Sequence, residues 1–225
     1  LALQELLPEA IISCYDSYDD SQLSHLLDWA DVVCIGCGLG MGQISEKILK
    51  NVLKNVSCPC VIDADGLNLL SRNIELLNQC CAPVILTPHM KEMSRLTGWS
   101  IDTIMEDRFQ ALDQIIKQSG PDTKSSIICV LKDSRTVVAQ TNRQKFVNLA
   151  GNNSMAKGGS GDVLAGTIAG LLAQHMAPFE ATTVGVFLHA CGGDEAKKSK
   201  GSYSVLARDL IHGMADAMKN AKECR

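Results

Sequence analysis

The residues best placed to do chemistry lie in Gly151-Asn152-Asn153-Ser154-Met155-Ala156-Lys157-Gly158-Gly159-Ser160-Gly161-Asp162. This glycine-rich stretch opens directly into an apolar helical pattern. A helix start exposes unpaired N–H groups and the positive end of the helix dipole, and glycines let a phosphate approach that backbone closely. Asp162 then puts a carboxylate into an anion hole. That is an electrostatic conflict unless the carboxylate has work to do, as a general base or as a ligand to a metal and its water. The plainer alternative is an ordinary loop in which Asp162 is a favourable helix-start residue. No G-K-[ST] follows, so the stretch is not a Walker A loop.

Four further clusters could contribute. Gly36-Cys37-Gly38-Leu39-Gly40-Met41-Gly42 follows an apolar run and precedes a helical one, but neither Gly36 nor Gly38 starts a full G-x-G-x-x-G. In Val61-Ile62-Asp63-Ala64-Asp65-Gly66-Leu67-Asn68 two carboxylates end a buried strand. They could organise Mg²⁺, or one could simply cap the next helix. Leu86-Thr87-Pro88-His89-Met90-Lys91-Glu92-Met93 places His89 just past another strand. Leu131-Lys132-Asp133-Ser134-Arg135-Thr136 is a tight turn with two cations; alone it reads as a solvated hairpin. Four of these five clusters follow strand ends, so they can converge on one cleft.

The elements that must position them read as follows. Ala10–Cys14, Asp31–Ile35, Cys60–Asp63 and Pro83–Thr87 are continuous apolar runs, as expected of parallel strands covered on both faces. A helix is expected over Gln43–Val56. Ile101, Ile104, Met105, Leu112, Ile115 and Ile116 fit one helical stripe closed by Gly120-Pro121. Ile127–Leu131, Thr136–Ala139 and Lys145–Leu149 follow closely enough to pair antiparallel at one side of the sheet. The last third reads as helices: one from Asp162 on, expected to be buried all round, then about Pro178–Lys198 and Val205–Lys222. The expectation is an α/β layered fold in one domain spanning residues 1–225.

Composition narrows the function. The chain has 225 residues, 46% hydrophobic and 20% charged, with a net charge of −4. It is not a disordered chain. No apolar run approaches the ~20 residues of a membrane span. The acidic balance and the 4% aromatic content disfavour nucleic-acid binding. Leu1-Ala2-Leu3-Gln4-Glu5 has no basic n-region and no initiator Met, so a fragment of a cytoplasmic protein is expected rather than a secreted chain. The ten cysteines then read as buried free thiols. Cys34 and Cys37 form a C-x-x-C, but no second pair at metal spacing completes a four-ligand zinc site.

Taken together, the motifs resemble the ADP- or ATP-dependent NAD(P)H-hydrate dehydratase family, of ribokinase-like fold, in order from about Asp31 to Ala217. The family's G-P-G-L-G corresponds to Gly36-Cys37-Gly38-Leu39-Gly40, its D-A-D-A-L-N-L-L to Asp63 through Leu70, and its L-T-P-H-x-x-E-M to Leu86 through Met93. Its L-K-G-x-x-T-V-V corresponds to Leu131 through Val138, with Asp133 for glycine. Its G-N-x-G-M-A-[ST]-G-G-x-G-D-V-L corresponds to Gly151 through Leu164, with Ser154 for glycine and Lys157 for Ser or Thr. Gly185-Val186-Phe187-Leu188-His189-Ala190 also fits. Lys157 would add a phosphate contact or crowd the nucleotide.

The resemblance implies a three-layer α/β/α fold with a mainly parallel sheet and antiparallel strands at one side. It implies dehydration of hydrated NADH or NADPH by phosphorylating the ring hydroxyl and expelling phosphate, with ADP or ATP as co-substrate and Mg²⁺ as the expected metal. Asp162 would be the base. Lys132, Asp133, Ser134, Arg135 and Thr136 would hold the nucleotide, and Gly158, Gly159, Ser160 and Gly161 its phosphates. Gly38, His89, Asp65, Asn68 and Asp162 would meet the hydrate; metal ligands stay unassigned. A homo-oligomer with no nucleic-acid or membrane partner is expected. The family's usual βαβ segment ahead of Leu1 is expected to be missing, with loss of stability and of part of the hydrate pocket. Two alternatives stay open: a kinase of the same fold acting on a small alcohol or vitamin precursor, and a non-catalytic nucleotide-binding subunit.

Overall fold

The computed structural model describes residues 2–14, 17–117 and 126–223. The elements in chain order are α1 (Ala2–Leu6), α2 (Asp20–Trp29), β1 (Val33–Ile35), α3 (Gln43–Asn55), β2 (Cys60–Ile62), α4 (Asp65–Leu70), β3 (Val84–Leu86), α5 (Met90–Thr97), α6 (Ile101–Glu106), α7 (Arg108–Ile116), β4 (Ile127–Leu131), β5 (Val137–Gln140), β6 (Phe146–Val147), α8 (Ser160–Ala173), α9 (Pro178–Lys200) and α10 (Ala207–Glu223). The six strands form one sheet in the order β1-β2-β3-β4-β5-β6. β1 through β4 run parallel. β4, β5 and β6 are antiparallel neighbours, as their short connections require.

The sheet is the middle of three layers, and the strand alternation shows it. Ile62, Val84, Leu86, Ile127 and Cys129 face a core built with α2 to α7. Val61, Ile85, Ile128, Val130 and Val138 face a second core closed by Leu164, Ile168 and Leu172 of α8 and by Ala181 and Val186 of α9. Apolar side chains on both faces explain the unbroken hydrophobic runs of the central strands. The arrangement is the expected three-layer α/β/α fold.

Three local expectations need correction. Residues 11–14 form no strand, and Ile11 is 85% exposed, so this apolar run is not covered. The stripe from Ile101 to Ile116 is two helices, not one. Asp107 interrupts it because its carboxylate accepts from Gln110 N at 2.9 Å and starts α7. The Gly120-Pro121 stop lies outside the described residues. α8 is not buried all round: Gly166 is exposed, and so are Gly170 and Ala173, beside Leu26, Trp29 and Val32 at the β1 edge. The remaining strands and helices lie where the runs place them, with ends differing by a residue or two.

Candidate active site

The loops at the carboxyl ends of β1, β2, β3 and β4 meet the start of α8. Their close fit is built from glycines. Gly36 has φ +122°, and a Cβ there would lie 1.9 Å from the Asp63 carbonyl oxygen. Gly66 returns the contact, since its Cβ would lie 3.2 Å from Gly36 Cα and 2.8 Å from an Ile62 methyl. The two loops are laced by Asp63 N donating to Ile35 O at 3.1 Å and Gly40 N donating to the Asp65 carboxylate at 2.8 Å. Ala64 between the two aspartates has φ +49°, an uncommon backbone for a residue with a side chain.

Asp63 is buried, and its Oδ1 accepts from Lys132 Nζ at 2.6 Å. Glu92 lies 3.9 Å from the same ammonium, and burial raises its pKa. His89 caps α5: its Nδ1 accepts from Lys91 N and Glu92 N, while Glu92 Oε2 accepts from His89 N at 2.8 Å. Burial and the neighbouring Lys132 lower the His89 pKa, so the ring is neutral at pH 7. Lys132 and His89 are held side by side by an isolated parallel bridge between β4 and the β3–α5 loop.

Gly159 caps α8 at φ +85°, turning the chain so that the helix start faces the loops. A Cβ on Gly161 would sit 3.3 Å from both Asp63 Oδ2 and Lys132 Nζ. This close approach puts the Lys132–Asp63 pair directly at the helix start. Asp162, in the first turn, is exposed, and one of its carboxylate oxygens groups with one of Asp63 and with Cys37 Sγ, all within 4.8 Å of one another. The Cys37 thiol is pushed up by its contact with Cys34, by burial and by its hydrogen bond to Asp162.

A cavity of about 930 Å³ opens beside this helix start. His89, Lys132, Asp133, Ser134 and Thr136 line one side; Gly158, Ser160 and Gly161 line another. Of the residues expected at a site, Arg135, Gly159, Asp162, Gly38, Asp65 and Asn68 lie off its walls; Asp162 follows the lining residue Gly161 directly, and a Cβ on Gly159 would meet Ala207. Asp133 is also tied back to Arg108 at 2.8 Å. Asn68 accepts from Arg95 at 2.7 Å, away from the cavity wall. Gly38 has φ +69° and faces open space. Lys157 lines the cavity, and its ammonium donates to the carbonyls of Tyr203 and Val205, fastening the loop to the α9–α10 connection.

Two residues of this cavity region carry weight to which the motifs assign no role: Asp194, outside every matched stretch, and His189, inside the Gly185–Ala190 stretch. Asp194 of α9 accepts from Gly151 N at 3.0 Å and Asn152 Nδ2 at 2.8 Å, pinning the glycine-rich loop. His189 of α9 is buried in the cavity wall and hydrogen-bonds the Ser160 backbone; its Nε2 has no partner among the described residues. Burial lowers its pKa to about 4. Both sit on a helix with no glycine-rich signature of its own, and only its packing against α8 brings them to the site.

The cysteines divide by burial. Cys60, Cys80 and Cys129 are buried free thiols, but Cys34 and Cys37 are exposed at the site, contrary to the expectation of a uniformly buried set.

A profile of NAD(P)H-hydrate dehydratase matches residues 2–215 of this chain. The ADP-dependent (S)-NAD(P)H-hydrate dehydratase of Neisseria meningitidis is 36% identical over 222 residues, which is 96% of this chain and 73% of that protein. The bifunctional NAD(P)H-hydrate repair enzyme of Moorella thermoacetica is 37% identical over 86% of this chain, which spans 35% of that enzyme's length. Among solved structures, the ADP/ATP-dependent NAD(P)H-hydrate dehydratase of Bacillus subtilis, co-crystallised with ATP and Mg²⁺, superposes with a TM-score of 0.78 at 28% identity, covering 97% of this chain and 76% of that one. A Streptococcus mutans protein superposes at 0.79 with 32% identity, over 97% of this chain and 75% of its own. With the family match spanning residues 2–215 and a relative 36% identical over 96% of the chain's length, the chain belongs to the NAD(P)H-hydrate dehydratase family.

Proposed function

We propose that this chain dehydrates hydrated NADH or NADPH at the expense of ADP or ATP, and that Asp162 is the base. The observation that carries the reading is the carboxylate of Asp162 at a glycine-capped helix start, beside a 930 Å³ cavity and the Lys132–Asp63 pair. The N–H groups of Gly158 through Gly161 would hold the transferring phosphoryl group in a fixed electrostatic cradle. Lys132, Asp133, Ser134 and Thr136 would hold the rest of the nucleotide, with Arg135 at the outer edge of the turn. Gly38, His89, Asp65 and Asn68 would face or support the hydrate. His89 has its Nδ1 taken by the α5 cap, so its Nε2–H is left to donate, with Glu92 Oε1 3.3 Å away as a competing acceptor.

Asp162 takes the proton of the ring hydroxyl as that oxygen attacks the terminal phosphorus and the shortened nucleotide leaves. The new phosphate ester then breaks at its C–O bond. Phosphate departs with the bonding pair, a neighbouring ring proton is lost, and the reduced nicotinamide is restored. Phosphorylation is needed because hydroxide is a poor leaving group. Mg²⁺ brought by the nucleotide fits the hard oxygen donors of Asp63 and Asp162 and would neutralise phosphate charge. Cytoplasmic location belongs to the same proposal, supported by the unpaired cysteines; no described helix is long and apolar enough to cross a membrane.

The test is incubation with NADH hydrate and ADP or ATP, following recovery of reduced-nicotinamide absorbance. Nucleotide-dependent recovery is expected. Asp162→Asn, which keeps the size and removes the base, should abolish it while nucleotide affinity stays within about tenfold, ~1.4 kcal/mol. Near-normal turnover in Asp162→Asn would remove the base assignment. A stable phosphorylated product in place of NADH would make the chain a kinase.

A further inference from the structure

The cysteines at the site have no part in phosphoryl transfer, yet Cys37 stands against the proposed base. Cys37 Sγ and one carboxylate oxygen each of Asp63 and Asp162 lie within 4.8 Å of one another. They come from three elements: the loop after β1, the end of β2 and the first turn of α8. The Gly36–Gly66 contact fixes the first two loops against each other, so this grouping does not depend on a free chain end. Ligand atoms around one tetrahedral Zn²⁺ stand about 3.3–3.5 Å apart, given bond lengths near 2.0 Å to oxygen and 2.3 Å to sulfur. The 4.8 Å limit on the observed spread is wider than this, so the three side chains must close on the ion.

The donor set also chooses among cations. Two carboxylates alone would suit Mg²⁺, Ca²⁺ or Mn²⁺, but a sulfur ligand favours Zn²⁺ and its softer relatives. Two anionic carboxylates beside a thiol that must lose its proton to ligate create a charge that the single ammonium of Lys132, 2.6 Å from Asp63, does not balance. A divalent cation balances it. Cys34, whose side chain contacts Cys37, adds a second sulfur at the rim.

We propose that Cys37, Asp63 and Asp162 form an open three-ligand site for a thiophilic divalent cation of the Zn²⁺ class, and that its occupancy blocks turnover by engaging the Asp162 carboxylate. Binding stands on the geometry. The block rests on the reading of Asp162 as the base.

Titration of this 225-residue chain with Co²⁺, without nucleotide, tests the binding. A thiolate-to-cobalt charge-transfer band that Zn²⁺ displaces is expected. Cys37→Ser should lose the band and at least tenfold of the Zn²⁺ affinity, with the far-UV circular dichroism unchanged. Asp162→Asn should keep the band and lose at least tenfold of the affinity. Cys58→Ser, on the far side of β2, should do neither. A band unchanged in Cys37→Ser, no Zn²⁺-displaceable band, or full affinity in Asp162→Asn would each overturn the site. Stoichiometric Zn²⁺ should then inhibit hydrate turnover, and less so in Cys37→Ser; bound Zn²⁺ with undiminished turnover overturns the block. A chain that binds Co²⁺ through Cys37 but never dehydrates the hydrate refutes the proposed function and leaves the metal site standing.

Discussion

At the scale of single residues, the site depends on charges that are cheap only because they are paired or kept neutral. Asp63 is nearly inaccessible, and Lys132 supplies the cation that makes its burial tolerable. His189 takes the other course and stays neutral, with its pKa lowered to about 4 by burial. Its charged form is therefore favoured in the unfolded chain, which binds its proton near the ordinary histidine value of about 6.5. Stability should be unaffected above that pH and fall as the pH drops from there to about 4, by up to roughly 3 kcal/mol. We expect His189→Gln to flatten this part of the dependence, read as melting temperature between pH 4 and pH 7. A parallel slope in wild type and variant would show that the acid sensitivity comes from other groups.

At the scale of elements, the start of α8 is where backbone and charge must fit together. Gly161 has room for a hydrogen but only marginal room for a Cβ, which would press on both Asp63 Oδ2 and Lys132 Nζ at 3.3 Å. Gly161→Val should therefore weaken ADP binding about tenfold or more, by disturbing the ion pair and by filling the approach of the phosphates. Calorimetric titration of the folded variant measures it. Unchanged affinity would place the phosphates elsewhere. The same element scale explains Lys157. Its ammonium donates to the carbonyls of Tyr203 and Val205, so it fastens the glycine-rich loop to the α9–α10 connection from the cavity wall.

At the scale of the molecule, the described sheet has two edges, β1 and β6, and β1 pairs on one side only, with β2. Beside that edge, Leu26 and Trp29 of α2 are exposed, Trp29 by 70%, and they border the small residues Gly170 and Ala173 of α8. An unpaired strand edge next to exposed apolar side chains invites association. We expect concentration-dependent self-association through this face, weakened by Trp29→Ser. Sedimentation velocity across a range of protein concentration checks it. Because Trp29 is mostly out of contact, the substitution should change the melting temperature little. A monomer at all concentrations would mean that the edge is not a contact between copies.

Local chemistry made much of this legible in advance. A glycine-rich loop before an apolar helical repeat must begin a helix with unpaired N–H groups, wherever the helix lies, so the candidate anion cradle and Asp162 could be read from adjacent residues. Continuous apolar runs reported two-sided burial for β2 and β3, because each has a core on both faces, but not for the 31–35 run at β1, where Val33 is half-buried and Cys34 exposed. The same rule failed for Ile11-Ile12, since a run of apolar residues does not show whether anything covers it. What only the tertiary structure decided are the meetings between distant segments. Lys132 with Asp63 spans 69 positions, and Asp194 with Gly151 spans 43. Cys37, Asp63 and Asp162 gather from three elements. No local pattern encodes these distances; they follow from strands stacked in register and from α9 laid against α8, which bring together side chains with no periodic relation along the chain.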